Sequence, residues 1–265
     1  MNLRDISAIV RKEWAELYKD TLIVLSVLFL PIIFAALPLV ILWSTGGYEG
    51  AVDEAASALP PQMAQFCQGL SSGACTQVFI ASQFIVLFMM LPLLIPATIA
   101  PYTIVGEKTQ RTLEPLLATP ISTGDLLLGK NLAATLPAIA STWLAFGVFA
   151  LGARLIISDP AVFARLFEAR WLVAVFILGP VLAVLSVNLA IMVSSRSTDP
   201  RVAQQIASLV VFPILIVFFG QVIGWFYLSQ ALVFVFALLA LVLDVILSWL
   251  AVRIFDREAI LTRWA

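Results

Sequence analysis

The chain has 265 residues, 62% hydrophobic and 12% charged, where a soluble domain carries about 25% charged residues. With a mean hydropathy of +1.06 and the apolar residues in long blocks, this excludes a soluble globular enzyme, a disordered tail and a small disulfide-knotted domain. A balance of 15 Lys+Arg against 16 Asp+Glu gives no basis for a nucleic-acid partner, and the lack of histidine removes His-ligated haem, His-based zinc sites and Ser-His-Asp triads. What remains is an all-α integral membrane protein.

Residues 1–20 place Leu3, Ile6, Val10, Trp14 and Leu17 at helical spacing, opposite Arg4, Asp5, Arg11, Lys12, Glu16 and Lys19. This reads as an interfacial amphipathic helix on the inner leaflet, either a surface anchor alone or also a contact for a cytoplasmic partner. No charge occurs between Asp20 and Glu49, so span one is placed at about 21–43. It is too long for a signal-peptide core and follows a charged, patterned stretch, so it reads as a permanent anchor. The segment 44–78 then forms an external loop with the only cysteines, Cys67 and Cys75. In an oxidising exterior they are candidates for a disulfide, and so short a loop would contribute about 2.5 kcal/mol. The alternative is two unrelated buried thiols.

Span two, about 79–105, contains Gln83 and three prolines, Pro92, Pro96 and Pro101. Each proline removes a helix hydrogen bond and clashes with the preceding turn, so kinks are expected, with freed carbonyls that need partners inside the protein. This suits a pathway-lining or moving helix, although proline is also more common in membrane helices generally. The loop 106–125 is charged at its start and puts Leu113, Leu116 and Leu117 on one face of a short helix that Pro120 ends. Exposed leucines need the headgroup region or another protein to bury them. Ser122 and Asp125 read as a capping box opening span three, about 126–152. Gly124 to Asn131 nearly spells a phosphate-binding loop, but Asn131 replaces the required hydroxyl and no strand precedes it, so the match reads as coincidence. Lys130 reads as a side chain snorkelling to the inner headgroups.

Asp159-Pro160 and Asp199-Pro200 have the form of helix starts, with Asp as N-cap and Pro in the first turn. The first opens a short external helix and the second opens a membrane span. Spans four, five and six fall at about 171–193, 202–220 and 229–252, with Pro213 a candidate kink in span five and a short uncharged connection from Gln221 to Gln230. Asp244 is the one ionisable residue well inside a span, a functional suspect by its cost, with a structural hydrogen bond or protonation as alternatives. Asn188, Gln83 and Gln204 are candidates for interhelical hydrogen bonds. Twelve Lys and Arg fall on one side of this arrangement and three on the other, which puts both termini in the cytoplasm.

Residues 101–130 resemble the type-2 permeases of ATP-binding-cassette (ABC) transporters. The matching residues are Val105-Gly106-Glu107-Lys108, Arg111-Thr112-Leu113-Glu114, Leu116-Leu117-Ala118-Thr119-Pro120-Ile121-Ser122 and Leu127-Leu128-Gly129-Lys130. Arg11-Lys12-Glu13 in an amphipathic helix before span one is also similar to the family. The resemblance implies an N-terminal connecting helix, six spans, a coupling helix after span two and re-entrant external structure before span six, with the connection here looking short for the last. It implies two permeases pairing with two separate ATP-binding subunits, which would hold ATP and Mg, while this chain holds no cofactor and catalyses nothing. The coupling residues it implies are Thr112, Leu113, Glu114, Leu116, Leu117 and Thr119, flanked by Glu107 and Arg111. No importer-type Glu-Ala-Ala loop is evident, which favours an exporter in the cytoplasmic (inner) membrane. Closed twofold symmetry, the commonest oligomer, makes the second permease a copy of this chain by default. The alternative is a self-sufficient secondary transporter or channel built on Asp244. An intramembrane enzyme or a quinone- or haem-binding subunit is a third, disfavoured by the missing histidine.

Overall fold

The computed structural model describes residues 3–46, 71–109, 121–157, 159–225 and 228–254. Among them there is no strand, and six helices are long and apolar enough to cross a membrane, the number expected. Helix α1 (Leu3–Leu17) precedes α2 (Thr21–Gly46), which is span one. Span two is made of α3 (Ser72–Phe88) and α4 (Leu91–Thr109), and span three is α5 (Thr123–Ile156). After the short α6 (Pro160–Leu166), α7 (Ala169–Val173), a π-turn (Ala174–Leu178) and α8 (Gly179–Arg196) form span four. Span five runs through α9 (Pro200–Ala207), a 3₁₀ turn (Ser208–Val211) and α10 (Phe212–Val222), and span six is α11 (Gln230–Ile254).

Local chemistry sets these boundaries. Ser122 Oγ accepts the Asp125 N–H at 3.1 Å and opens α5. Asp159 and Asp199 each cap a helix with Pro in its first turn, accepting the Ala161 and Arg201 N–H groups at 2.8 Å. Gly124 to Asn131 lies in the first turns of a continuous helix, so no phosphate loop forms there. Span two breaks at Met89–Met90, where Pro92 has no N–H for the Phe88 carbonyl and its ring crowds that turn. Span five tightens into its 3₁₀ turn just ahead of Pro213. The turn after α10 is a Schellman motif: Trp225 N–H reaches Gly220 O at 2.9 Å and Gly224 N–H reaches Gln221 O at 3.1 Å, with Gly224 at φ 81°. From that turn the chain proceeds to α11 at Gln230, so the described residues hold no re-entrant helix before span six.

Spans two and three each extend over 34 residues, about 50 Å at the helical rise, well beyond a hydrocarbon core of about 30 Å. Each is therefore longer than the hydrocarbon core alone requires. Span two is the central element, with 67% of its apolar window buried, against 22%, 17% and 22% for spans one, five and six. α4 packs against α8, α5 and α9, while α5 also takes α1 and α2 along its length. Close approach comes from small side chains, the usual device where lipid supplies no hydrophobic drive: Ala133, Ala134, Ala138, Ala183 and Ala190 are all fully buried. Toward the far end from α1, Trp171 stacks on Phe149 and Phe146 at centroid distances of 5.5 and 5.9 Å, with Phe88 beside them.

Candidate functional site

Helix α1 does not simply lie on a surface. Ile6, Ile9 and Leu17 are buried, and the helix packs along α5. Trp14 Nε1 donates to the Ala133 carbonyl at 3.0 Å. The contact is close because position 129 is glycine: a Cβ there would stand 2.7 Å from Ile9 Cγ2 and 2.8 Å from Ile9 Cβ.

One residue on, Lys130 is 4% exposed, which corrects the snorkelling expectation. Its ammonium has three protons and three oxygens around it: Glu13 Oε1 at 2.8 Å, Glu107 Oε2 at 2.7 Å and the Thr103 carbonyl at 3.1 Å. Lys12, on α1, is hydrogen-bonded to Glu107 Oε1 and lies 3.4 Å from Glu13 and 3.5 Å from Glu16. Glu13 and Glu107 are as buried as Lys130. Two ammonium and two buried carboxylate groups thus form one ionic knot joining α1, the end of α4 and the start of α5. Partial burial alone would lower the Lys12 pKa, but the hydrogen bond to Glu107 and the fields of Glu13, Glu107 and Glu16 outweigh it and push it up to about 12.

The knot lies at both ends of the segment 110–120. Glu107 stands just before it and Lys130 just after the helix start that follows. Of the coupling residues implied by the resemblance, Glu107 is here; Arg111, Thr112, Leu113, Glu114, Leu116, Leu117 and Thr119 lie outside the described residues. The pieces Arg11-Lys12-Glu13, Gly106-Glu107 and Gly129-Lys130 are far apart in sequence but meet in this one junction. Sequence reading found the pieces but not their meeting, because each piece also suits its local surroundings.

A second polar group crosses the bundle. Thr135 Oγ1 donates to Asn131 Oδ1, Asn131 Nδ2 to Asn188 Oδ1, and Asn188 Nδ2 to both Asp244 Oδ1 and Ser248 Oγ, all at 3.0 to 3.2 Å. This ladder joins spans three, four and six. Asp244 and Asn188 were singled out from the sequence; Asn131, Thr135 and Ser248 were not, because short polar residues near span ends are unremarkable there. Gln83 is not in the ladder, and both its side-chain polar atoms are buried without a hydrogen-bond partner among the described residues. Gln221 Nε2 donates to the Ser82 carbonyl at 3.3 Å. Of the three prolines, Pro96 and Pro101 lie inside α4 and Pro92 in its first turn; Ser186 Oγ from α8 donates to the Leu93 carbonyl at 2.7 Å in that stretch. Cys75 is buried in α3 and is not a free thiol; Cys67 lies outside the described residues.

Six apolar helices, with a buried ionic junction where α1 meets spans two and three, define a multi-pass α-helical membrane protein. The family model described as ABC-2 family transporter protein matches residues 7–241, and the chain belongs to that family. It is a transmembrane subunit of an ABC transporter, a family that implies pairing with ABC ATP-binding subunits. No curated protein matches the chain. The whole ionic knot falls inside the matched region, whereas Asp244 and Ser248 fall beyond it.

Proposed function

We propose that this chain is the permease subunit of an ABC exporter in the cytoplasmic membrane, both termini inside, coupled to separate ATP-binding subunits through the loop 106–125 between spans two and three. The observation that carries the reading is the ionic knot. It fixes Glu107 and Lys130, near the two ends of that loop, against α1 with charges buried from water. A partner groove would take Leu113, Leu116 and Leu117, and force on them would reach spans two and three through Glu107 and Lys130. The partner holds ATP and Mg and does the hydrolysis; this chain supplies the path and the moving helices. The second permease is a copy of this chain. Asp244 is engaged by Asn188 in an interhelical hydrogen bond, so no observation favours the secondary-transporter alternative.

The test is purification of the tagged chain from its native membrane in mild detergent, with mass spectrometry of what accompanies it. The expected companion is a soluble protein with nucleotide-binding motifs, near one per permease. In Leu116→Asp/Leu117→Asp the permease stays in the membrane and the companion is lost or its ATPase activity is uncoupled. An intact complex with normal coupled ATPase activity in that variant would overturn the assignment of the segment.

A further inference from the structure

A cavity of about 320 Å³ opens between spans three, four and six, at the α1 end of the bundle. Leu127, Leu128, Ile191 and Val252 form aliphatic walls, and Asn131, Asn188 and Ser248 supply its polar groups. The stretch of α5 that carries Asn131 is the one against which α1 packs, through Gly129 and Ala133. α1 exposes Arg4 and Arg11 while its apolar face is taken up by α5, so its level is the polar edge of the spans. Trp249 marks the same level independently. It lines the cavity, and the Arg253 guanidinium lies over its ring at 3.7 Å, the arrangement of an interfacial aromatic with an arginine at the lipid headgroups.

Two hydrogen-bond donors are unspent at this level. Asn131 uses one side-chain N–H on Asn188 and has a second. Ser248 Oγ accepts from Asn188, and its own O–H has no acceptor within the described residues. Arg253 makes no ion pair within them. Two carboxyl groups adjoin the lining, Asp125 next to Gly124 and Asp244 on Asn188, and both are buried. The cavity therefore offers aliphatic walls, two neutral donors at the depth of ester carbonyls and a guanidinium at the headgroup level.

We infer that this cavity is a seat for a glycerophospholipid of the leaflet at the α1 end, with its phosphate on Arg253, an ester carbonyl on Asn131 and Ser248, and an acyl chain along Leu127, Leu128 and Ile191. Arginine suits phosphate through its planar fork of donors. The site does not depend on the ATP-binding partner, so this inference and the exporter reading fail separately.

The test places the full-length permease in phosphatidylcholine nanodiscs containing a few mole per cent of phosphatidylglycerol with a diazirine close to the ester of one acyl chain. After photolysis, mass spectrometry maps the labelled residues. Labelling at Leu127–Asn131 and Ser248–Val252 should exceed that at Val202 and Ile206, which are exposed near the same end on span five, by about fivefold or more. Arg253→Gln, an exposed position that leaves the fold alone, should take the excess to about background, since the roughly tenfold loss expected for one charge-assisted contact exceeds it. Ser248→Leu with Asn131→Leu should bring it to background. Equal labelling on both faces, no labelling of this face, or an excess that survives Arg253→Gln would each overturn the inference.

Discussion

Replacing Lys130 by methionine removes one ammonium while keeping the length and most of the volume of the side chain, so packing changes little. What changes is electrostatic. Glu13 is 1% exposed and Glu107 5%, and both lose the cation that sits 2.8 and 2.7 Å from them. Lys12 remains, but its side chain is 40% exposed and it lies 3.4 Å from Glu13. Breaking a buried ion pair by removing one partner costs about 3–5 kcal/mol, mostly as the penalty of the charge left behind, and partial cover by Lys12 puts the expectation near 3 kcal/mol. The assay is reversible unfolding of the purified permease in mixed micelles as the denaturing detergent fraction is raised, read by circular dichroism. A companion variant, Glu13→Gln/Glu107→Gln/Lys130→Met, removes the buried charges together and should recover most of the loss, since neutral replacements of a whole buried ion cluster are often tolerated. A cost below about 1 kcal/mol for Lys130→Met, or a triple variant no better than the single one, would refute the account of the knot as a buried, mutually dependent set of charges.

Gly129→Ala and Gly152→Ala should differ although both relieve helical glycine by about 1 kcal/mol. At 129 the new methyl meets the branch point of buried Ile9, so the variant should be net destabilised by about 1–2 kcal/mol. At 152 it meets the terminal methyls of Leu39, which can rotate away, so the variant should be neutral or more stable in the same unfolding assay. Asn188→Leu removes three hydrogen bonds across spans three, four and six; at about 0.6 kcal/mol each within a membrane, it should lose about 2 kcal/mol, against about a third of that for Thr135→Val. Lys12 has a folded pKa raised from 10.5 to about 12, so its contribution is complete below about pH 10.5 and is lost as pH rises through about 12. The stability gap between the wild type and Lys12→Met should therefore stay constant from pH 6 to 9 and close only in strong alkali; a gap that changes near neutrality would mean the ammonium is not held as described.

The membrane character and the six spans were legible because a charge-free apolar run of about 20 residues matches the thickness of a bilayer and exceeds what a small soluble core can bury. The caps at Ser122, Asp159 and Asp199 were legible because each needs only neighbours in sequence. The break in span two was legible as an effect of proline, but it falls at Met89–Met90, ahead of Pro92, because the clash is with the turn preceding the ring. Lys130 was misread for a different reason. Beside an apolar run a lysine looks like a side chain reaching for headgroups, and only the fold shows that Glu13 and Glu107 reach it first. Asp244 and Asn188 stood out as polar residues in apolar surroundings, whereas Asn131 next to Lys130 looked like the edge of a span. Pairings between residues more than 50 positions apart leave no trace in a single sequence when each partner also suits its local surroundings.

The π-turn at Ala174–Leu178 carries one residue more than an α-helical turn can hold. One residue corresponds to about 100° of rotation, so this insertion sets the phase between the two halves of span four. Above it Trp171 must face Phe146 and Phe149; below it Asn188 must face Asn131, Asp244 and Ser248. Deleting a single residue there would leave composition, length and hydropathy almost untouched, yet it would turn one of these faces toward lipid. Span four thus behaves as two keyed segments joined by a fixed twist, and the twist resides in five apolar residues that carry no functional group of their own.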